Sequence, residues 1–195
     1  MRVISGSLRG LRLAPPSGDR VRPTLDRVKE AAFNIIQFSV PGGRFLDMFA
    51  GSGQMGIEAL SRGAKSCVFV DSARPAQSAI RRNLAAAKLA GRAQVVGMEA
   101  EAFLRTNPGP FEIALLDPPY GQQLCQALLP LVAARMSNGG VIVCETGREE
   151  ELPGRAGEFS LSRTYRYGRA KVSVYRKQQE EEERDAAHGD LPRQL

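Results

Sequence analysis

Arg44-Phe45-Leu46-Asp47-Met48-Phe49-Ala50-Gly51-Ser52-Gly53-Gln54-Met55-Gly56 decides the fold of this chain. The apolar run over residues 44–49 predicts a strand, and residues 55–61 predict a helix. Between them Gly51, Gly53 and Gly56 form a GxGxxG, whose glycines let the backbone turn tightly and approach a ligand closely. Asp71 ends the next apolar run, 18 residues past Gly53, where a carboxylate can bind two ribose hydroxyls. Strand, glycine loop, helix and acidic residue together point to a cofactor that contains a nucleoside.

Downstream of this unit the pattern keeps alternating. Residues 66–71, 93–96, 112–116 and 141–145 read as strands, and residues 76–89, 100–105 and 124–136 as helices, with a Gly139-Gly140 turn before the last strand. This order implies an α/β fold, a mostly parallel sheet with helices on both faces. Residues 159–166 and 171–176 flank Gly168 and predict a closing antiparallel hairpin. Upstream, residues 2–6 and 10–14 predict a β-hairpin, and Pro15-Pro16-Ser17-Gly18 break the chain. A helix is expected from a cap near Thr24, with Leu25, Val28, Ala32, Ile35 and Ile36 at helical spacing. The expected organisation is a hairpin-and-helix extension over residues 1–41, part of the same unit as a main domain over 42–177. A tail over 178–195, with four consecutive glutamates and no apolar period, reads as disordered.

Composition narrows the function classes. The 195 residues are 43% hydrophobic and 25% charged, as in a soluble globular protein. No apolar run approaches the roughly 18 residues of a membrane span, and Met1–Gly6 lacks a secretory apolar stretch, so a cytoplasmic location away from membranes is expected. Cys67, Cys125 and Cys144 stand singly in apolar runs and read as buried reduced thiols. The one histidine, His188, lies in the tail, which argues against histidine catalysis and a histidine-held metal; none is expected. Net charge is +6, but the tail holds six acidic and two basic residues, so residues 1–177 carry +10. Arg9, Arg12, Arg20, Arg22, Arg27 and Lys29 cluster in the amino-terminal segment. Such an excess suits a polyanion, because Lys and Arg release counterions from phosphates.

Asp117-Pro118-Pro119-Tyr120 follows the apolar run Ile113-Ala114-Leu115-Leu116. A strand ending this way sets a carboxylate and an aromatic ring at the carboxyl edge of the sheet, where open α/β sheets bind ligands. The prolines stiffen the turn and remove two donors, so its carbonyls stay free as acceptors. The turn can hold a planar amino group between two acceptors while the ring stacks on the attached base. The glycine loop admits two cofactor families, a dinucleotide and S-adenosylmethionine. Asp47, just before the loop, would repel a pyrophosphate and attract an ammonium or sulfonium group, which favours S-adenosylmethionine.

The stretch 46–53 with Asp117-Pro118-Pro119-Tyr120 resembles the class I amino-methyltransferases that modify exocyclic nitrogens of nucleic-acid bases. More narrowly, Arg2-Val3-Ile4-Ser5-Gly6 with Arg9-Gly10, the segment from Arg22-Pro23-Thr24 to Asn34, Glu58-Ala59-Leu60-Ser61-Arg62-Gly63-Ala64 and Tyr167-Gly168 resemble a bacterial family. Its members are the small-subunit ribosomal RNA guanine-N2 methyltransferases acting at the guanine usually numbered 966. The resemblance spans about residues 1–176 and implies a Rossmann-like class I methyltransferase fold, with a seven-stranded, mostly parallel sheet and an antiparallel C-terminal strand. It implies S-adenosylmethionine as donor, S-adenosylhomocysteine as product, and 16S rRNA in the small ribosomal subunit as partner, with the enzyme a monomer. Asp47, Gly51 and Gly53, with Phe49 and Ser52 of the same loop, would hold the methionyl part of the cofactor. Asp71 would take the ribose, and Glu99 with Ala100 the adenine edge. Asp117, Pro118, Pro119 and Tyr120 would form the catalytic turn, and Arg9, Arg22 and Arg27 would hold RNA phosphates. Two places depart from the family pattern: Glu99, where aspartate is usual, and Ser72-Ala73-Arg74. A DNA adenine-N6 methyltransferase can carry the same turn but usually needs a target-recognition region, for which only about 40 amino-terminal residues are available. A protein-glutamine methyltransferase resembles Asn-Pro-Pro-Tyr instead, and a noncatalytic nucleic-acid-binding module would bind S-adenosylmethionine weakly or not at all.

Overall fold

The computed structural model of the protein describes residues 1–17 and 26–177. Helix α1 (Asp26–Ile36) leads into an alternating series of β1 (Arg44–Met48), α2 (Gln54–Ser61), β2 (Ser66–Val70), α3 (Arg74–Ala86) and β3 (Ala93–Val96). Then come α4 (Ala100–Thr106), β4 (Phe111–Leu116), α5 (Leu124–Ala133) and β5 (Met136–Gly147), followed by β6 (Arg155–Ala156), β7 (Phe159–Tyr167) and β8 (Ala170–Lys177). All strands join one sheet in the order β3-β2-β1-β4-β5-β8-β7-β6. Strands β1 to β5 pair in parallel, and β8, β7 and β6 are added by antiparallel pairings.

The sheet thus has eight strands, not seven, the additional one being β6, and β8 at the carboxyl end runs antiparallel to β5 as expected. Strand β6 is only two residues long, with no apolar run to announce it. Strand β5 also begins before residue 141. The Gly139-Gly140 pair is no turn between elements but lies opposite a register shift, since Phe111 pairs with Met136 while Ile113 pairs with Val141. A Cβ on Gly140 would stand 2.9 Å from the Ser137 carbonyl oxygen, so the irregularity needs glycine there.

Strand alternation sends Phe45, Phe69, Leu115 and Val143 to one face, packed with Phe33 of α1, Ile57 and Leu60 of α2 and Ile80 of α3. Leu46, Val68, Ala114, Leu116 and Ile142 face the other way, onto Phe103 of α4 and Leu128, Leu129 and Val132 of α5. The third glycine of the GxGxxG sets how close α2 comes to the sheet. A Cβ on Gly56 would stand 2.5 Å from Cys67 Sγ and 2.6 Å from Phe69 Cζ. Only glycine allows that helix–strand approach.

The expected amino-terminal hairpin shrinks to one bridge, Arg2 with Arg12, flanked by backbone bonds between Val3 and Leu11 and between Leu13 and Met1. The ladder is short because Ile4 and Ser5 donate their N–H groups to the Glu58 carboxylate of α2, at 2.7 and 2.9 Å. Glu58 is fully buried and also meets Arg62 Nε at 2.8 Å and Lys29 Nζ at 3.6 Å. Lys29 is likewise fully buried, and its ammonium donates to the Arg2 carbonyl at 2.6 Å. Lys29 therefore docks the first strand and does not face a polyanion. Thr24, Arg20, Arg22 and the acidic tail lie outside the described residues. Among the described residues no helix is long and apolar enough to cross a membrane.

Candidate active site at the carboxyl edge of the sheet

Each parallel strand ends within three residues of an acidic residue, and the sheet order sets these side by side. Glu99 follows β3, Asp71 follows β2, Asp47 lies in β1, Asp117 follows β4 and Glu145 lies in β5. Asp47, Asp71, Asp117 and Glu145 share the parity of Phe45, Phe69, Leu115 and Val143, so they belong to the face covered by α1, α2 and α3. All five carboxylates line one cleft of about 810 Å³. It opens where β1 meets β4, the point at which the strand order reverses and ligands of such sheets bind.

The glycine loop forms the cleft floor. Gly51 and Gly53 have φ of 56° and 75°, conformations that side chains resist, and Phe49 holds φ 61° despite its bulk. Strain of this kind gathers at ligand sites. The loop is pinned by carboxylates at both ends. Asp47 accepts from the Gly56 N–H at 2.8 Å, and Asp71 accepts from Gly51 N–H and Ala73 N–H, both at 2.9 Å. Burial lifts the Asp47 carboxyl well above its ordinary value; the Gly56 N–H opposes this, while Asp117 and Asp71 add to it. Asp47 is thus both a loop brace and a cleft wall. Ser52 is buried, and its carbonyl receives Asn83 Nδ2 at 2.8 Å.

At the next strand the Asp117 N–H reaches toward the Met48 carbonyl at 3.4 Å, tying the catalytic-turn candidate to the end of β1. Pro118 is buried and Pro119 exposed. Tyr120 is 36% exposed, so its ring can meet a ligand, and its hydroxyl donates to Glu145 Oε1 at 2.8 Å.

Of the residues expected at the site, Asp47, Phe49, Gly51, Ser52, Asp71, Glu99 and Asp117 to Tyr120 meet on the cleft walls. Gly53 and Ala100 are not among its lining: Gly53 is the left-handed residue that starts α2, and Ala100 is buried at the start of α4. Arg9 is exposed on the turn between the first two strand segments, away from the cleft lining. Arg27 stands on α1, and Arg22 falls outside the described residues. Three contributors escaped the sequence reading. Glu145 follows the run Val141 to Cys144 just as Asp117 follows Ile113 to Leu116, and that parallel was the signal. Gln54 lines the cleft with a buried Oε1 that has no hydrogen-bond partner among the described residues. The β7–β8 turn brings Tyr167, Gly168 and Arg169 to the rim, where the Arg169 carbonyl accepts from Arg148 N–H at 3.0 Å.

Five carboxylates stand on this wall, and Arg169 is the one cationic side chain in its lining among the described residues. That set fits the ammonium, sulfonium, ribose hydroxyls and adenine amine of S-adenosylmethionine. It does not fit a pyrophosphate, which needs donors.

Comparisons with known proteins agree with the geometry. The model of the family described as conserved hypothetical protein 95 matches residues 1–176. YlbH of Bacillus subtilis (strain 168) is 43% identical over 182 residues, covering 91% of this chain and 99% of its own. The Escherichia coli (strain K12) protein named ribosomal RNA small subunit methyltransferase D is 33% identical over 180 residues, covering 91% and 90%. The solved structure of Escherichia coli yhhF superposes with a TM-score of 0.79 at 33% identity, covering 91% of this chain and 97% of that one.

Proposed function

This chain belongs to the conserved hypothetical protein 95 family, and we propose that it transfers a methyl group from S-adenosylmethionine to the exocyclic N2 of a guanine in 16S rRNA, leaving S-adenosylhomocysteine. The relative named for small-subunit rRNA supports the substrate class. The likeness noted in the sequence favours the guanine usually numbered 966. One observation carries the chemistry: Asp117, Pro118 and Tyr120 share a single cleft with Asp47, Asp71 and Glu99.

When bound, S-adenosylmethionine supplies a methyl group already activated on sulfonium. Asp47 and the loop Phe49 to Gly53 would hold its methionyl end, Asp71 its ribose, and Glu99 beside Ala100 its adenine. An aromatic amine is a poor nucleophile because its lone pair is delocalised into the ring. The Asp117 carboxylate and Pro118 carbonyl accept its two N–H groups, which favours a tetrahedral nitrogen and localises the lone pair. Tyr120, held by the Pro118-Pro119 turn, stacks on the base, a contact worth roughly 1–3 kcal/mol. Alignment of amine and methyl group supplies most of the acceleration, and Asp117 need not act as a full base. Arg9, Arg22 and Arg27 would hold phosphates and so position the RNA without specifying its sequence. The enzyme would act as a monomer in the cytoplasm.

The test is transfer of labelled methyl to small ribosomal subunits from a strain lacking this gene, against naked 16S rRNA and duplex DNA, with the modified nucleoside identified. N2-methylguanosine in the RNA is expected. Label in the DNA, or on another nucleoside, refutes the proposal.

A further inference from the structure

Positive charge in this chain is concentrated at the antiparallel end of the sheet. Residues 155–177 hold seven Lys and Arg against one acidic residue, Glu158, so this segment carries +6 of the +10 found over residues 1–177. Two of the seven are neutralised within the fold. Lys171 is buried and reaches Glu151 at 3.4 Å, and Lys177 meets Glu158 at 3.0 Å. Arg163, Arg166 and Arg169 are exposed, and their guanidinium groups meet no carboxylate among the described residues.

Register divides these cations between two faces. Tyr167 pairs with Ala170, Tyr165 with Val172 and Arg163 with Val174, and those β8 partners belong to the face covered by α1, α2 and α3. Partners across a strand pair point the same way, so Arg163, Tyr165 and Tyr167 stand on the face that carries Asp47 and Asp117. Arg166 pairs with Lys171, at the intervening position, and faces the other way. Tyr167 and Arg169 line the cleft, and Tyr165 and Arg163 continue away from it along β7. That strand lies two places beyond β5, roughly 10 Å across the sheet. Both tyrosines are only partly buried against the core, which leaves ring surface open.

We propose that β7 is the track along which the RNA strand leaves the cleft, an inference that rests on the rRNA reading above. Bases flanking the target stack on Tyr167 and Tyr165, and their phosphates meet Arg169 and Arg163. A base must be unpaired to enter the cleft, so the strand beside it is single-stranded as well. Single strands are held by aromatic platforms set among cations, and one face of β7 with its turn supplies both. A duplex keeps its bases stacked on one another and would leave the rings unused.

The test measures Kd for naked 16S rRNA, and kcat and KM on small subunits, at about 0.15 M salt, where exposed charges are screened beyond about 8 Å. Arg163→Ala should raise Kd and KM by about tenfold, the loss of one charge-assisted contact, and flatten the log–log salt slope by about 0.7. The kcat and the Kd for S-adenosylmethionine should stay at their wild-type values. Tyr165→Leu should weaken rRNA binding by roughly 5- to 100-fold with the salt slope unchanged, and Tyr165→Phe, which keeps the ring, should restore it. Arg166→Ala removes the same charge from the opposite face of the same strand and should leave Kd unaltered. Should Tyr165→Leu fail to fold, the exposed Arg163 and Arg166 variants decide. Equal losses from those two overturn the track, since a diffuse field would then account for the binding. Weaker binding to assembled subunits with unchanged binding to naked rRNA also overturns it, and gives the face to a ribosomal protein. Wild-type rRNA affinity in all variants, with label still on guanine N2, sinks the track alone. Label outside rRNA sinks the rRNA reading and the track with it.

Discussion

Replacing Gly56 by alanine tests the link between close packing and the cofactor loop. The added Cβ would stand 2.5 Å from Cys67 Sγ and 2.6 Å from Phe69 Cζ, where ordinary contact needs about 3.5–4.0 Å. Neither neighbour can retreat, because both are buried on β2, which is held between β1 and β3. Helix α2 must lift by about 1 Å instead. Overpacking of this kind costs roughly 1–3 kcal/mol, and the better helix propensity of alanine offsets about 1. Lifting α2 also draws the Gly56 N–H away from Asp47, now 2.8 Å apart, and losing a bond to a buried carboxylate costs about 1.5–3 kcal/mol. The net expectation is about 2–4 kcal/mol, or a Tm lower by roughly 5–15 °C for a chain of this size. The same shift displaces the Gly51–Gly53 loop, so the Kd for S-adenosylmethionine should rise at least about tenfold, the equivalent of 1.4 kcal/mol. Urea unfolding and calorimetric titration measure both effects. Gly91→Ala is the control, since a Cβ there meets nothing within 4 Å. A Gly56→Ala protein as stable as Gly91→Ala, with unchanged cofactor affinity, would refute the packing account.

Asp117→Ala should abolish methyl transfer while the Kd for S-adenosylmethionine stays within a few-fold of wild type; near-normal single-turnover rates would sink the role given to that carboxylate. Asp47 is buried with its folded pKa raised above the ordinary 3.8, so its contribution to stability is fully present below that value and is lost as pH rises through the folded pKa. Asp47→Asn keeps an acceptor for Gly56 and should therefore gain stability relative to wild type as pH rises from 4 to 8, while binding the cationic cofactor more weakly; a stability difference independent of pH counts against this. Residues 1–177 carry +10, so affinity for rRNA should fall steeply with salt, with a log–log slope of about −2 to −4 if three to five phosphates are neutralised. Flat binding across a salt titration would remove the electrostatic role of the basic residues.

The alternating core of the fold is legible because each buried strand is a short apolar run and each helix shows a helical period. That is why β1 and α2 fall within a residue of their expected limits. Strand β6 is too short to carry a pattern, and Gly139-Gly140 looks like a turn because a glycine pair reads alike in a turn and in a bulge. The lining of the candidate cleft was legible where it stands in loops, at Phe49, Gly51 and Ser52 and at Asp117 to Tyr120. Glu145 ends an apolar run as Asp117 does, but no stiff turn or ring follows it as Pro118 to Tyr120 follow Asp117, so the sequence does not single it out. Charge counting failed at Lys29 for a different reason. A composition cannot separate a cation facing solvent from one sealed against Glu58, and only packing makes that distinction.

Asn83, an amide in an alanine-rich helix, is buried where the amino-terminal segment meets the glycine loop. Its Oδ1 accepts the Ala14 N–H at 2.9 Å, and its Nδ2 donates to the carbonyls of Ala14 at 2.9 Å and Ser52 at 2.8 Å. One side chain thus braces the amino-terminal segment and the glycine loop together. Free energies of binding linked through such a brace are reciprocal. Under the proposed roles of these two segments, whatever factor the methyl donor adds to RNA affinity by ordering residue 14, bound RNA returns to donor affinity by ordering residue 52. Loss of Asn83 would then uncouple the two affinities, although its side chain lies between the segments and not in the cleft lining.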